Sequence, residues 1–153
     1  KKAGLKVSID LASYNVVEAN LDFLREIISD YVDIVFANEE EAFALTGLEA
    51  DKAVHEIAKL CDIAVVKVGK EGSHIKANGV SHRIQGITAN CIDTTGAGDL
   101  FASGFLYGMT HQYPLDVCAK IGSIVAGNVV EVVGAKMEQD RWDSMKIALE
   151  KVI

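Results

Sequence analysis

Short continuous apolar runs alternate along this chain with stretches in which apolar residues recur every three or four positions. Residues 5–10 (LKVSID) predict a strand, and in residues 16–32 the positions Val17, Leu21, Leu24, Ile27 and Ile28 define one face of a single helix. Residues 33–38 (DIVFAN) form a β-branched and aromatic run of the kind buried in a parallel sheet. A short helix follows, with acids at its start and Gly47 at its end. Residues 50–60 predict a third helix and residues 63–69 (IAVVKVG) a third buried strand. Strand alternating with helix implies a mostly parallel α/β sheet with helices on both faces, a three-layer arrangement. Asn78-Gly79 between two extended runs then signals a two-residue hairpin and an antiparallel edge. Beyond Asp93 the periodicity is helical in residues 97–110, 114–133 and 140–153, with Pro114, the only proline, in a first turn.

Composition narrows the classes. With 153 residues, half of them apolar, the chain can bury a sizeable core, and a single domain over residues 1–153 is expected. A net charge of −7 and no basic run beyond Lys1 and Lys2 argue against a nucleic-acid partner. Cys61, Cys91 and Cys118 fit neither a disulfide framework nor a zinc pattern, which suggests a reducing, cytoplasmic setting. No apolar run approaches the roughly 18 residues of a spanning helix, so no membrane partner is expected. The chain starts without Met and already in a strand-like segment, which suggests part of something longer.

The candidate chemistry lies in residues 91–108, CIDTTGAGDLFASGFLYG. If Gly96, Ala97 and Gly98 open a helix, the unpaired N–H groups of its first turn form an anion site that small residues leave accessible. Asp99 on that turn would be a general base beside the anion hole. The structural alternative is a capped loop in which Thr94, Thr95 and Asp99 satisfy the first turn. The spacing matches neither a dinucleotide fingerprint nor a P-loop. Asn38 with Glu41 three positions on reads, by itself, as a capping box. The four histidines show no ligand spacing, and Trp142 with Met145 reads as core.

DTTGAGD followed by LFASGFLYG resembles the signature of the ribokinase-like PfkB family of sugar and nucleoside kinases. ANEEEAFALTG and VVKVGKEGSHI are similar to two further family motifs in family order, and VVEVVGAKM resembles the family's closing helix and loop. The resemblance implies a ribokinase-type three-layer fold and an ATP-dependent phosphotransferase. The acceptor would be a hydroxymethyl group on a nucleoside, with adenosine favoured, or on a free sugar such as ribose or fructose. A non-catalytic nucleotide-binding module is the rival from another class.

On this resemblance Asp99 is the base, with Gly96, Ala97 and Gly98 around the transferring phosphoryl group. Asn38 and Glu41 would steer Mg²⁺ through its waters, and Lys67, Gly69 and Gly72 would grip the nucleotide phosphates. Lys67 departs from the small hydroxyl residue common at its position, and its alternative is a solvent-facing strand end. Asp93, with carbonyls near Val129 and Gly134, would mark a monovalent-cation (K⁺) site; the alternative is a strand-end acid bonding to Thr95 or nearby amides. Gly122 would let adenine approach its helix, or else let two helices pack closely. The resemblance further implies that the chain corresponds to the C-terminal, nucleotide-binding half of a member. The acceptor pocket and dimer-forming lid would then lie elsewhere, leaving this half inactive alone.

Overall fold

The computed structural model describes residues 3–153. The chain divides into two compact units, one built from residues up to Gly69 with Ser73–Arg83, the other from Lys70–Gly72 with Ile84–Ile153.

The first unit carries the sheet. Its strands β1 (Ser8–Asp10), β2 (Ile34–Asn38), β3 (Ile63–Lys67), β4 (Ser73–Ala77) and β5 (Val80–Ile84) lie in chain order. β1, β2 and β3 are parallel, with Asp10 opposite Phe36 and Asn38 opposite Lys67. β4 returns antiparallel to β3, with Ser73 opposite Lys67. The turn to β5 is the expected one: Asn78 and Gly79 have φ of 49° and 78°, the left-handed pair that a type I′ hairpin requires. β2 and β3 are buried over four of their five residues, which is why they read as unbroken apolar runs.

The helices of this unit are α1 (Tyr14–Ala19), α2 (Leu21–Tyr31), α3 (Glu39–Thr46) and α4 (Ala50–Ile57). Where the spacing predicts one helix over 16–32, the chain forms two. The Asn20 side chain donates to the Val16 carbonyl at 2.8 Å and its backbone leaves the helical region at φ −133°. Asparagine competes in this way for helix carbonyls. Val17, Leu24 and Ile28 nevertheless reach one core with Val35, Ala37, Val66 and Ile57.

In the second unit α5 (Ala97–Thr110) and α6 (Leu115–Val129) pack closely, and α7 (Gln139–Leu149) follows. Pro114 caps α6 rather than occupying its first turn. A Cβ on Gly104 would lie 2.9 Å from the Gly122 Cα, and one on Gly122 would lie 2.7 Å from the Phe101 carbonyl oxygen. Glycine at both positions is therefore demanded by the α5–α6 approach. Ile121, Val125, Val129 and Met145 form the core of this unit, with Trp142 packed against it.

Candidate active site

In the second unit, residues 90–93 are held by hydrogen bonds to the loop after α6. The Ile92 and Asp93 N–H groups donate to the Val130 carbonyl at 2.7 and 3.1 Å. The Asp93 carboxylate accepts from the Thr95 N–H (2.9 Å), the Thr95 hydroxyl (2.7 Å) and the Gly134 N–H (2.8 Å). These donors, Gly134 first, hold its carboxyl below the usual carboxylate range.

Gly96 is the N-cap of α5, with φ 78° and no side-chain capping bond. Its missing Cβ would lie 2.6 Å from the Ala135 Cβ, so both backbone conformation and space call for glycine. Thr94 and Thr95 do not cap the helix through their side chains, since the Thr95 hydroxyl is given to Asp93. The Ala97 N–H donates back to the Thr94 carbonyl at 3.1 Å, whereas the N–H groups of Gly98 and Asp99 have no partner among the described residues. The exposed Asp99 carboxylate likewise has none. One helical turn thus presents two unpaired donors at the positive end of a 14-residue helix together with an unpaired carboxylate.

In the first unit, Asp10, Asn38 and Lys67 stand together at the carboxyl ends of three adjacent parallel strands, the edge where open α/β sheets bind ligands. Asn38 and Glu41 form a full capping box on α3. The Asn38 side chain accepts the Glu41 N–H, the Glu41 carboxylate accepts the Asn38 N–H, and the Asn38 amide donates to the other carboxylate oxygen, each at 2.8 Å. Glu41 is buried, and burial raises its pKa. Lys67 does not reach into solvent: its Nζ lies 2.6 Å from Asp10 Oδ2, with the two side chains 14% and 29% exposed. Asp10 is the site residue that the sequence did not single out; its only signal was an acid closing a strand.

The other candidates fall as follows. Gly69 opens a short 3₁₀ turn after β3. A Cβ on Gly72 would overlap the Ile84 carbonyl oxygen, so its glycine serves a close backbone approach. Gly122 is buried against Phe101. Around Asp93, the closing loop offers a donor, the Gly134 N–H, while the Val129 carbonyl accepts the Val132 N–H at 3.1 Å. Asp93 thus clamps the closing loop to the segment before α5 through the Gly134 N–H. Among the described residues no group of three or more His, Cys, Asp or Glu side chains could hold a metal ion, and no helix is long and apolar enough to cross a membrane.

A mostly parallel sheet with polar residues at its strand ends, in the first unit, and a glycine turn opening a small-residue helix, in the second, place the chain among α/β proteins. Residues 5–141 match the pfkB family of carbohydrate kinases, and the chain belongs to that family. Over 120 residues it is 37% identical to an uncharacterized sugar kinase of Archaeoglobus fulgidus, covering 78% of this chain and 48% of that protein. A probable sugar kinase from Rhizobium etli superposes with a TM-score of 0.91 at 34% identity over 99% of this chain and 46% of its own. Adenosine kinase from Sinorhizobium meliloti gives 0.89 at 33% identity, over 96% of this chain and 46% of its own. The fold is ribokinase-like, and the chain spans about half the length of the relatives it matches.

Proposed function

We propose that the full-length protein carrying this chain transfers the terminal phosphoryl group of Mg-ATP to a hydroxymethyl group of a nucleoside, with adenosine the favoured acceptor. The observation that carries this reading is the α5 first turn, where an exposed, unpaired Asp99 carboxylate accompanies the unpaired N–H groups of Gly98 and Asp99. The acceptor hydroxyl gives its proton to Asp99 as its oxygen attacks the phosphorus, and ADP leaves. The two N–H groups stabilise the charge on the phosphoryl oxygens in flight. Gly96 keeps the turn open, and the Ala97 N–H, already bonded to Thr94, shapes it from behind.

Where β2 meets α3, Asn38 and Glu41 would hold Mg²⁺ through its own waters, using the lone pairs that the capping box leaves, since this ion takes few protein carboxylates. When bound, the ion neutralises phosphate charge. In the first unit, Lys67, tied to Asp10, and the backbone at Gly69 would meet nucleotide phosphates.

A free sugar is the second reading of the acceptor, favoured by the similarity to proteins named sugar kinases. The experiment is ADP release by the full-length natural protein with Mg-ATP and a panel of adenosine, other nucleosides, ribose and fructose. Adenosine-dependent turnover supports the first reading and sugar-dependent turnover the second. Nucleotide binding without turnover on any acceptor would leave a binding module and overturn the kinase assignment.

A further inference from the structure

The segment leading into the Gly96 turn is fastened at one point by a side chain from a more distant element. The Asn90 N–H donates to Glu131 Oε1 at 2.6 Å, and the other oxygen of that carboxylate, Oε2, accepts from Arg141 Nη1 at 2.8 Å. The same Arg141 nitrogen reaches the carbonyl of Asn128 at 3.3 Å, in the last turn of α6. Arg141 stands in the first turn of α7, and Glu131 just beyond the end of α6. One carboxylate therefore joins three pieces of chain: the approach to the active turn, the end of α6 and the start of α7.

The remaining bonds to this approach segment come from the backbone of the same loop, through the Val130 carbonyl and the Gly134 N–H. We propose that Glu131 is a positioning residue through which α7 holds residues 90–93, and with them the Gly96 turn and Asp99, in working geometry. Both of its contacts are charge-assisted, and the guanidinium also faces the negative end of α6. Arg141 and, after it, the Asn90 N–H hold the Glu131 carboxyl below the usual range. The two side chains are 30% and 29% exposed, so the pair adds little to global stability and its contribution is geometric. A displacement of the turn by about 1 Å is enough to cost on the order of 10²-fold in rate.

This inference rests on the assignment of Asp99 as base, and its test separates the two. In the full-length protein, amide exchange at Asn90, Ile92 and Asp93 and steady-state kinetics are measured for Glu131→Ala, Glu131→Gln, Arg141→Met, Asp99→Asn and the Glu131→Ala/Asp99→Asn pair. Glu131→Ala is expected to speed exchange at Asn90 by about tenfold or more and lower kcat by a similar factor, with both KM values within about twofold. Arg141→Met should act in the same direction, and Glu131→Gln, which keeps an oxygen for Asn90, should recover most of the loss. The double variant should lose less than the product of the two single losses, because misplacing a base that has already been removed costs nothing. Unchanged exchange or unchanged kcat in both Glu131→Ala and Arg141→Met overturns the proposal, and Arg141→Met alone decides it if Glu131→Ala fails to fold. Full activity of Asp99→Asn would refute the base assignment, while the exchange result would still decide whether Glu131 holds the segment.

Discussion

The Asp93 carboxylate and the Gly134 N–H, 41 positions apart, meet at 2.8 Å, and this bond fastens the loop after α6 to the segment that leads into α5. The same loop brings Ala135 against Gly96, so one contact sets both the closing loop and the space around the turn. Asp93 is held ionised by the Gly134 N–H and the Thr95 donors, and its folded-state pKa lies below the ordinary value of 3.8. Its stabilising contribution is therefore complete above that value and fades as pH falls through the lowered one. Asp93→Asn should be less stable than the natural protein near neutrality, with the gap closing below about pH 4 in urea unfolding. A gap that stayed constant to lower pH would show that the carboxylate's ionisation is not what matters.

Gly96→Ala meets two separate obstacles, a left-handed backbone at φ 78° and the Ala135 methyl group 2.6 Å from the new Cβ. A loss of roughly 1–3 kcal/mol is expected, together with reduced turnover. Adding Ala135→Gly should restore the part due to the methyl contact and leave the backbone part, as read from the unfolding midpoints of the two variants. Full recovery in the double variant would mean that the backbone conformation costs nothing there.

Between α5 and α6, Gly104 and Gly122 stand in place of side chains that would not fit. Gly122→Ala pushes a methyl to 2.7 Å from the backbone oxygen of Phe101, which cannot turn away as a side chain could. Destabilisation of about 1–3 kcal/mol is expected in thermal or urea unfolding. An unchanged midpoint would show that the helices separate at little cost.

The Asp10–Lys67 pair is partly buried, at 29% and 14% exposure. Removing either charge strands the other, so Asp10→Asn and Lys67→Met should each cost roughly 1–3 kcal/mol, between the exposed and fully buried limits. The double variant should cost less than their sum. Additive losses would mean that the two side chains stabilise the fold independently.

Much of this architecture was legible in the chain. β2 and β3 announce themselves as apolar runs because both of their faces are covered, and Asn78-Gly79 marks its hairpin because few other pairs accept two positive φ values. α5 begins and ends at its predicted bounds, residues 97–110, since Gly96 punctuates its start. Asn20 was missed because apolar spacing carries no record of a side chain that takes its own helix's carbonyl. At the candidate site the sequence named Asp93, Gly96 and Asp99 but not the Asp10–Lys67 pair or the Glu131–Arg141 tie, which join residues 57 and 10 positions apart. Such contacts depend on tertiary register, and local spacing does not encode them. Gly122 was readable as a small residue; only the α5–α6 approach shows that Phe101 fills the space beside it.

The role proposed for the Asp99 carboxylate, taking the proton of the attacking hydroxyl, is read out by Asp99→Asn, a substitution that keeps size while removing the base. ADP release by the full-length protein with Mg-ATP and its best acceptor should fall by about 10²-fold or more in kcat, while nucleotide affinity by calorimetry stays close to that of the natural protein. Turnover that survives the substitution would leave Asp99 as a first-turn acid of α5 and the base unassigned.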